Sequence, residues 1–571
     1  MPGPYDTYTS PLATRNASPE MLRLWSARHK FNTWRRIWLA VAEAMHEVTR
    51  DDASPLVTKE QVEELRAVVE RGITDEEIGK AEEYERELRH DVMAHVHALG
   101  DSCPKARPII HLGMTSQDVV CNADLLVINE AIELLEVKHA KCIDAFARFA
   151  TQHAHTPTLA FTHFQPAQPT TVGRRAAGWS ADIHHAYSDY FDLSCCAHWL
   201  LRGLRGATGT QASYLALFNG DAASVDQLEA RVLRAIVPDD QRGVPFDVAA
   251  LRNREAESLA RSREALAYMQ AVDPEQSQTI GRLGRNIEKR GQERSDAELL
   301  HEHALFRIEA CSFDLQGQTY PRVFDTRVLG RLAATAAVLH KIATDIRLLS
   351  NRKEIDEPFE DKQIGSSAMP YKRNPMRCER ICGLTRFVMN LAGNAYDTAA
   401  TQWLERTLDD SSNRRLSLPE AFLALDGALD LMHNVASGLV VHEAMVRRNL
   451  MAELPFLATE NILMACVKLG GDRQDYHERI RRHAQEAGLR VKQQGLDNDL
   501  LDRLRADPAF RSKARGGSLD GEIDWDGLMD PMKYVGRSVE QTERFIREVV
   551  EPLREQYAEA ITLLGESGPR V

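Results

Sequence analysis

The feature that most restricts the fold of this chain is the length of its helical segments. From Thr115 to about Gln152 the sequence contains neither proline nor glycine, and Asp118 follows Thr115 at the spacing of a capped helix start. Other long segments cover about 170–201, 323–350, 376–403 and 417–437. Helices of roughly thirty to forty residues carry more apolar surface than one chain covers. The pattern therefore predicts an all-α protein with a long helical bundle that associates with further copies of itself.

Shorter helices are predicted on both sides of this bundle. Ser18 precedes Pro19, which favours a helix start there, and a helical stripe of apolar residues continues to about Val48. A second helix is predicted from Thr74 to about Ala98. Shorter helices with breaks are expected over 442–500, and an amphipathic segment over 538–564. No series of alternating apolar and polar residues indicates a β-sheet.

Composition restricts the cellular compartment and the classes of partner that this chain is expected to have. The 571 residues contain 84 acidic and 71 basic side chains, a net charge of −13, which argues against a nucleic-acid-coating protein. The chain starts without a signal-peptide pattern and has no apolar run long enough for a membrane span. Its nine cysteines show no metal-binding spacing, so we expect reduced thiols in a cytoplasmic protein that binds no metal.

One charge-rich segment, about 237–304, differs from the rest of the chain. Arginines and glutamates lie close together over 242–264, and prolines and glycines between 238 and 291 break the segment up. We interpret it as an exposed insertion and hypothesise that it affects assembly or regulation, since surface loops tolerate insertions.

Two polar segments carry most of the chemical signal. Residues 365–375, GSSAMPYKRNP, hold two prolines and are predicted to form a loop that presents hydroxyls, a lysine, an arginine and an amide to one anion. His163 lies between two phenylalanines in 161–169, FTHFQPAQP, between two long helices. Histidine carries protons near neutral pH, but a lone histidine in such surroundings is more often structural.

Three further segments can bind anions. His111–Ser116 leads into a helix N-terminus, where free N–H groups attract negative charge. Residues 405–415, ERTLDDSSNRR, hold three arginines that fit either a phosphate clamp or a salt-bridged helix junction. Arg89, His90 and Asp91 are predicted on one helix and lack the further ligands that zinc needs. Without a phosphate-binding glycine loop or a dinucleotide-binding motif, the set favours cofactor-free acid–base chemistry on an anionic substrate.

Residues 365–374 match every fixed position of the pattern Gly-Ser-x-x-Met-x-x-Lys-x-Asn, and the chain thereby resembles the fumarase/aspartase superfamily. Within that superfamily it resembles the adenylosuccinate lyases, especially those of animals. The similar stretches keep the family's order and include residues 10–21, 88–100, 109–118, 158–175, 364–380, 402–415 and 453–462.

The resemblance implies a three-domain all-α fold, with domains at 1–114, 115–441 and 442–571. It also implies a homotetramer whose active sites draw on several subunits. The implied reaction is elimination of fumarate from adenylosuccinate, giving AMP, and from SAICAR, the succinyl-carboxamide intermediate of purine synthesis, giving AICAR.

The resemblance also assigns roles to residues of this sequence. Ser366 would be the general base and His163 the general acid, while Lys372 and Asn374 would hold the succinyl carboxylate. His90 would contact the substrate or the acid. The remaining substrate-binding positions would be Arg15, Asn16, Arg89, Asp91, Thr115, Ser116, Gln318, Arg380, Arg406, Ser411 and Arg415.

Two departures and two alternatives stay open at this point. Asn16 stands where the family usually has tyrosine, so any contact of that ring is in doubt, and the 237–304 segment has no counterpart in the common pattern. A sibling enzyme, such as an argininosuccinate lyase or a fumarase, would share the 365–374 loop. A non-catalytic helical scaffold would share the fold. The full arginine set favours a nucleotide substrate, and the intact polar loop argues against a scaffold.

Overall fold

A computed structural model describes residues 6–197, 200–237, 263, 312–313, 315–360 and 362–565. Five long helices form the bundle: α6 (Ser116–Gln152), α7 (Val172–Ala197), α10 (Val323–Asn351), α11 (Met376–Ala400) and α12 (Asp409–Gly438). Each packs along its neighbours, α6 on α7 and α12, and α10 on α7, α11 and α12. The all-α prediction is confirmed, with four short strands as the exceptions.

The bundle forms because its helices are apolar over most of their circumference. Helix α6 spans 37 residues and buries side chains on every side, including Leu125, Ile128, Leu135 and Phe146. A helix that is apolar all round is stable only when other elements surround it. Helix α6 is surrounded accordingly: α7 and α12 of the bundle pack against it, and so does α2 of the N-terminal helices.

Five helices precede the bundle, and a second group follows it. The first group is α1 (Pro19–Leu24), α2 (Ala27–Thr49), α3 (Lys59–Arg71), α4 (Asp75–Leu88) and α5 (Asp91–Ser102), with α8 (Ala212–Leu217) and α9 (Ala222–Ile236) after α7. The second group is α13 (Glu443–Leu457), α14 (Thr459–Lys468), α15 (Arg473–Gln494), α16 (Leu500–Ala506), α17 (Trp525–Leu528), α18 (Ser538–Phe545) and α19 (Glu551–Leu564). Residues 458–523 build a separate apolar core, whereas α19 packs on α6.

Several predicted helix bounds are wrong, for local reasons. The predicted helix over 19–48 is interrupted, because Ser26 accepts a hydrogen bond from the His29 N–H and starts a new helix. The helix predicted over 74–98 ends at Leu88, where Arg89 adopts a left-handed conformation with φ 53°, and restarts at Asp91. The segment predicted to begin at 417 begins at Asp409, and helix α3 was not predicted.

The expectation that the chain has no strands was wrong at two places in the described residues. Strands β1 (Pro157–Thr162) and β2 (Gln165–Thr171) form an antiparallel hairpin between α6 and α7. The two-residue strands β3 (Ile355–Asp356) and β4 (Val440–Val441) form a second antiparallel pair. The prolines of residues 165–169 do not prevent the hairpin, because its two strands form a sheet with no third strand.

Most of the charged insertion predicted at about 237–304 lies outside the described residues, apart from Val237 and Arg263. Six cysteines of the described chain are free thiols, and all six are buried: Cys103, Cys121, Cys142, Cys378, Cys382 and Cys466. No single described helix has the length and apolarity to cross a membrane; α13 and α14 reach that threshold only as a pair bent by 48°.

Glu77 joins four helices of the N-terminal group. Its carboxylate accepts hydrogen bonds from Arg35 of α2 at 3.0 Å, Arg71 of α3 at 2.8 Å and Ser102 of α5 at 2.6 Å, and from the Thr74 N–H that precedes α4. Burial raises the pKa of Glu77, but these donors outweigh it and lower the pKa to about 2. The ionised form therefore stabilises the fold.

We predict that Glu77→Gln lowers the free energy of unfolding by about 3 kcal/mol at pH 7, because Arg35 stays buried without its counter-charge. The wild-type contribution is complete above the unfolded pKa near 4.5 and is lost as pH falls toward 2. The difference between the two proteins should therefore narrow below about pH 4.5. Urea unfolding at several pH values measures it, with exposed Glu83→Gln as control. A pH-independent difference contradicts the prediction.

Candidate active site

A polar cavity of about 660 Å³ lies where the N-terminal helices meet the bundle. Its wall is built from helix ends: the break between α4 and α5, the N-terminus of α6 and the N-terminus of α12. Seven residues predicted to bind substrate or take part in catalysis line it: Arg89, His90, Asp91, Ser116, Arg406, Ser411 and Arg415. Segments that are up to 326 positions apart in the sequence are thus brought to one place.

The break between α4 and α5 turns Arg89 and His90 toward the cavity. Arg89 ends α4 in the left-handed region, which non-glycine residues adopt infrequently. His90 then begins α5, and its Nδ1 accepts a hydrogen bond from the Met93 N–H at 3.3 Å. This nitrogen acts as a helix cap, so the other ring nitrogen, Nε2, is the one left to face a ligand.

Asp118 holds the N-terminus of α6 and the loop beside it. Its Oδ2 accepts from the Thr115 N–H at 2.7 Å, and its Oδ1 accepts from the Arg205 and Gly206 N–H groups at 2.9 and 3.1 Å. The same oxygen binds the buried Arg202 guanidinium. The capped helix start predicted at Thr115 is confirmed, and Ser116 lines the cavity one residue later.

Two of the five arginines that line the cavity, Arg414 and Arg415, lie near the N-terminus of α12. Arg415 Nη2 lies 2.6 Å from Asp91 Oδ2, which links α12 to α5. Burial raises the pKa of Asp91, but the hydrogen bond and charge of Arg415 outweigh it and hold the pKa below its usual value. The neighbouring Arg414 binds Asp325 at 2.6 Å and Asp124 at 3.0 Å.

Gln318 is held beside the cavity by two loops. Its Oε1 accepts from Arg406 Nη1 at 2.7 Å, and its Nε2 donates to the Ala207 carbonyl at 2.9 Å. The preceding Gly317 is in close contact with Glu405: a Cβ at this position would lie 2.5 Å from the Glu405 carbonyl oxygen. Only glycine lets these two loops approach so closely.

Arg15, Asn16 and Arg380 form a second, separate cluster. Arg380 Nη2 donates to Asn16 Oδ1 at 3.0 Å and to the Arg15 carbonyl at 3.3 Å. Burial and the charge of nearby Arg15 both lower the pKa of Arg380. The side-chain amide oxygen of Asn16 therefore orients the Arg380 guanidinium by a direct hydrogen bond.

His163 is at the exposed tip of the β1–β2 hairpin. His163 and Phe164 are the two turn residues, and both have positive φ, 52° and 55°. This turn type normally carries asparagine and glycine, because side chains with a Cβ are strained there. The strand pair thus holds the imidazole outward in a defined position at the cost of backbone strain.

The predicted loop 365–375 is confirmed as a loop, and it folds on itself. Ser366 Oγ accepts from the Met369 N–H at 3.2 Å and from the Ala368 N–H at 3.4 Å. Asn374 Nδ2 donates to the Gly365 carbonyl at 2.8 Å, which closes the loop at its base. The Lys372 side chain is exposed.

The predicted site residues therefore lie in four places within one chain: at the cavity, in the Arg15–Asn16–Arg380 cluster, at the hairpin tip and in the 365–375 loop. The cavity lining contains neither His163 nor any residue of the 365–375 loop. Within the described ranges, no hydrogen bond or ion pair joins His163 to Ser366, Lys372 or Asn374.

Several cavity residues were missed by the sequence reasoning. Lys30, Asp124 and Arg322 all line the cavity. The one signal for Lys30 is a cation at helical spacing from Trp34 in an otherwise apolar stripe. No group of three histidine, cysteine or carboxylate side chains in the described part of the chain is arranged to hold a metal ion.

The chain matches two family models and many curated proteins. The model "Lyase" matches residues 13–217 and 261–390, and "Adenylosuccinate lyase C-terminus" matches residues 455–545. The adenylosuccinate lyase of Saccharomyces cerevisiae is 41% identical, covering 96% of this chain and 95% of that protein. Those of Schizosaccharomyces pombe and Schistosoma mansoni are 40% and 38% identical, each covering 98% of both chains.

Solved structures share the fold at lower identity. A fumarate lyase from Mesorhizobium sp. superposes with a TM-score of 0.65 at 18% identity, covering 95% of this chain and 99% of the other. A 3-carboxy-cis,cis-muconate lactonizing enzyme from Pseudomonas putida superposes with a TM-score of 0.66 at 21% identity, with the same coverage. At these identities the likeness establishes the fold and not the reaction.

We predict that Asp118→Asn lowers the free energy of unfolding by about 3–5 kcal/mol, because the buried Arg202 loses its counter-charge. The N-terminus of α6 should also loosen, since the carboxylate holds Thr115 and Gly206. Urea unfolding and amide hydrogen exchange at residues 115–118 measure both effects. Exposed Asp226→Asn is the matched control. An unchanged exchange rate at Thr115 speaks against this role.

Proposed function

The chain belongs to the adenylosuccinate lyase family of the fumarase/aspartase superfamily, and from this we propose that it eliminates fumarate from adenylosuccinate and from SAICAR. The observation that carries the proposal is the cavity where Arg89, Arg406 and Arg415 face an N-terminus of a helix. Cations and helix N-termini bind phosphate and carboxylate. A succinyl-nucleotide carries both groups.

The proposed chemistry is a β-elimination without metal or cofactor. A base removes the proton beside a carboxylate, the negative charge spreads into that carboxylate, and the C–N bond breaks as an acid protonates the nitrogen. We assign Ser366 as base and His163 as acid, with Lys372 and Asn374 binding the carboxylate. Donors placed where charge develops stabilise such a transition state.

The loop geometry supports Ser366 as the base. A serine hydroxyl is weakly acidic, so it removes a proton efficiently only where its alkoxide is stabilised. The N–H groups of Ala368 and Met369 both point at Ser366 Oγ and would hydrogen-bond a negative oxygen more strongly than a neutral one. The exposed Lys372 ammonium is six residues further along the same loop.

The separation of the site residues supports a shared active site. His163 at a hairpin tip and Ser366 on a loop face outward, away from the cavity lining of their own chain. We propose a cytoplasmic homotetramer in which the hairpin of one subunit and the loop of another complete the cavity of a third. In this assembly the domains 1–114, 115–441 and 442–571 would keep the division expected from the sequence.

The direct test mixes the purified protein with adenylosuccinate and follows fumarate and AMP. We expect turnover that EDTA does not reduce, and turnover with SAICAR in a parallel reaction. Argininosuccinate and malate serve as controls for the sibling activities and should not react. Turnover of either control alone would support a sibling lyase instead, and no turnover of any substrate would support the scaffold.

Shared sites predict complementation between inactive variants. His163→Ala and Ser366→Ala should each be nearly inactive, because each removes one proton-transfer group. After the two are dissociated together and reassembled, about a quarter of the sites combine an intact histidine with an intact serine, so activity should return to that extent. Each variant reassembled alone is the control. Mixed tetramers without recovered activity would refute the cross-subunit assignment.

A further inference from the structure

The cations of the cavity differ in whether a carboxylate already neutralises them. Arg322 lies 2.7 Å from Asp410, and Arg415 lies 2.6 Å from Asp91. Arg414 is bound by two carboxylates. These guanidinium groups hold the wall together, and part of their charge is offset before any ligand arrives.

Lys30 of α2 lines the same cavity and is held differently. Its Nζ lies 4.9 Å from the ring centroid of Trp34 and 5.5 Å from that of Phe31, as in a cation–π contact. In the described part of the chain, no hydrogen bond or ion pair within 4 Å involves this ammonium. Lys30 therefore reaches the cavity with its N–H donors unused.

The electrostatic surroundings of Lys30 agree with this geometry. Burial lowers the pKa of Lys30, and the charge of Asp124 opposes that effect while Arg415 adds to it. The carboxylates of Asp124, Asp91 and Glu85 all raise the pKa of Lys30. Asp124 is bound by Arg414 and Asp91 by Arg415, and among the described contacts none of the three acids forms an ion pair with Lys30 within 4 Å. A ligand anion would stabilise this partly desolvated ammonium more than the wall does.

A second lysine of the same chain shows how a purely structural ammonium is held. Lys138, in the middle of α6, lies 2.5 Å from Asp426 and 2.8 Å from Asp430. Burial lowers the pKa of Lys138, but the two carboxylates outweigh it and the pKa is raised. Lys30 has the opposite arrangement: two aromatic rings lie beside its ammonium, and among the described contacts no carboxylate lies within 4 Å of it.

We propose that Lys30 is a further substrate-binding residue of this cavity, whose ammonium donates to an anionic oxygen of the succinyl-nucleotide, on its phosphate or on a succinyl carboxylate. The inference rests on the proposed function for the identity of the ligand. The aromatic rings keep the ammonium in place, so little side-chain entropy is lost on binding.

The test compares three full-length variants. Lys30→Met keeps an unbranched side chain next to Trp34 and removes the charge, so KM for adenylosuccinate should rise about tenfold or more while kcat changes less than about threefold. Lys30→Arg restores the charge and should recover most of the affinity. Lys59→Met is the control, since it removes an exposed lysine of α3 and should leave KM unchanged.

Binding measurements distinguish the phosphate from the succinyl carboxylate as the group that Lys30 contacts. They also test the role of Lys30 independently of the proposed lyase activity. The affinities of Lys30→Met for AMP, adenosine and fumarate are measured by calorimetry. If Lys30 contacts the phosphate, the variant should bind AMP more weakly and adenosine as well as the wild type does. If Lys30 contacts the carboxylate, the variant should bind fumarate more weakly. If the wild-type protein binds AMP but turns over no succinyl-nucleotide, the proposed function fails while the Lys30 comparison still stands.

Three results would overturn the role of Lys30. The first is an unchanged KM and unchanged AMP and fumarate affinity in Lys30→Met. The second is a failure of Lys30→Arg to recover affinity in a protein whose melting temperature matches the wild type. The third is a loss of adenosine affinity equal to that of AMP, which would indicate a distorted cavity instead of a lost ionic contact.

Discussion

A lysine buried between two aspartates joins the two longest described helices, and the arrangement of the molecule depends on it. Lys138 of α6 binds Asp426 and Asp430 of α12, and all three are removed from most solvent. Buried charges are tolerated only when paired, so this contact sets how α6 and α12 align along their length. Asp426 also accepts from the Ser18 N–H at 2.6 Å, which anchors the segment that carries Arg15 and Asn16.

The alignment matters because the candidate site is built from helix ends. Once α6 and α12 are fixed side by side, their N-termini lie beside each other and beside the break between α4 and α5. Helix ends expose backbone N–H groups and, at this site, arginines whose positions are set by Asp91, Asp325 and Asp410. The bundle thus positions a cavity lined by arginines at its helix ends.

The two candidates for proton transfer, His163 and Ser366, lie on a turn and a loop and not at the ends of bundle helices. His163 is on a strained two-residue turn and Ser366 is in a loop closed by its own hydrogen bonds. Both present polar groups outward from a single chain. Solved structures with the same fold are named for different reactions, so the bundle alone does not select the chemistry; the side chains at its ends do.

The sequence by itself determined the features that depend on residues close together along the chain. The long helices, the cap at Thr115 and the loop at 365–375 follow from periodicity, from Asp118 three positions on, and from glycine and proline, so each was predictable. The cavity arginines of 405–415 were identified as candidates, but their partners were not.

Only the tertiary structure decided the rest, because it depends on contacts between distant segments. The left-handed Arg89 that breaks α4 from α5, and the hairpin that holds His163 at positive φ, are conformations that local propensity disfavours and packing imposes. Lys30 reaches the cavity because α2 packs against α6, which no local pattern reveals. The separation of His163 and Ser366 from that cavity likewise follows from the fold, since residues far apart in sequence meet only where long helices bring them.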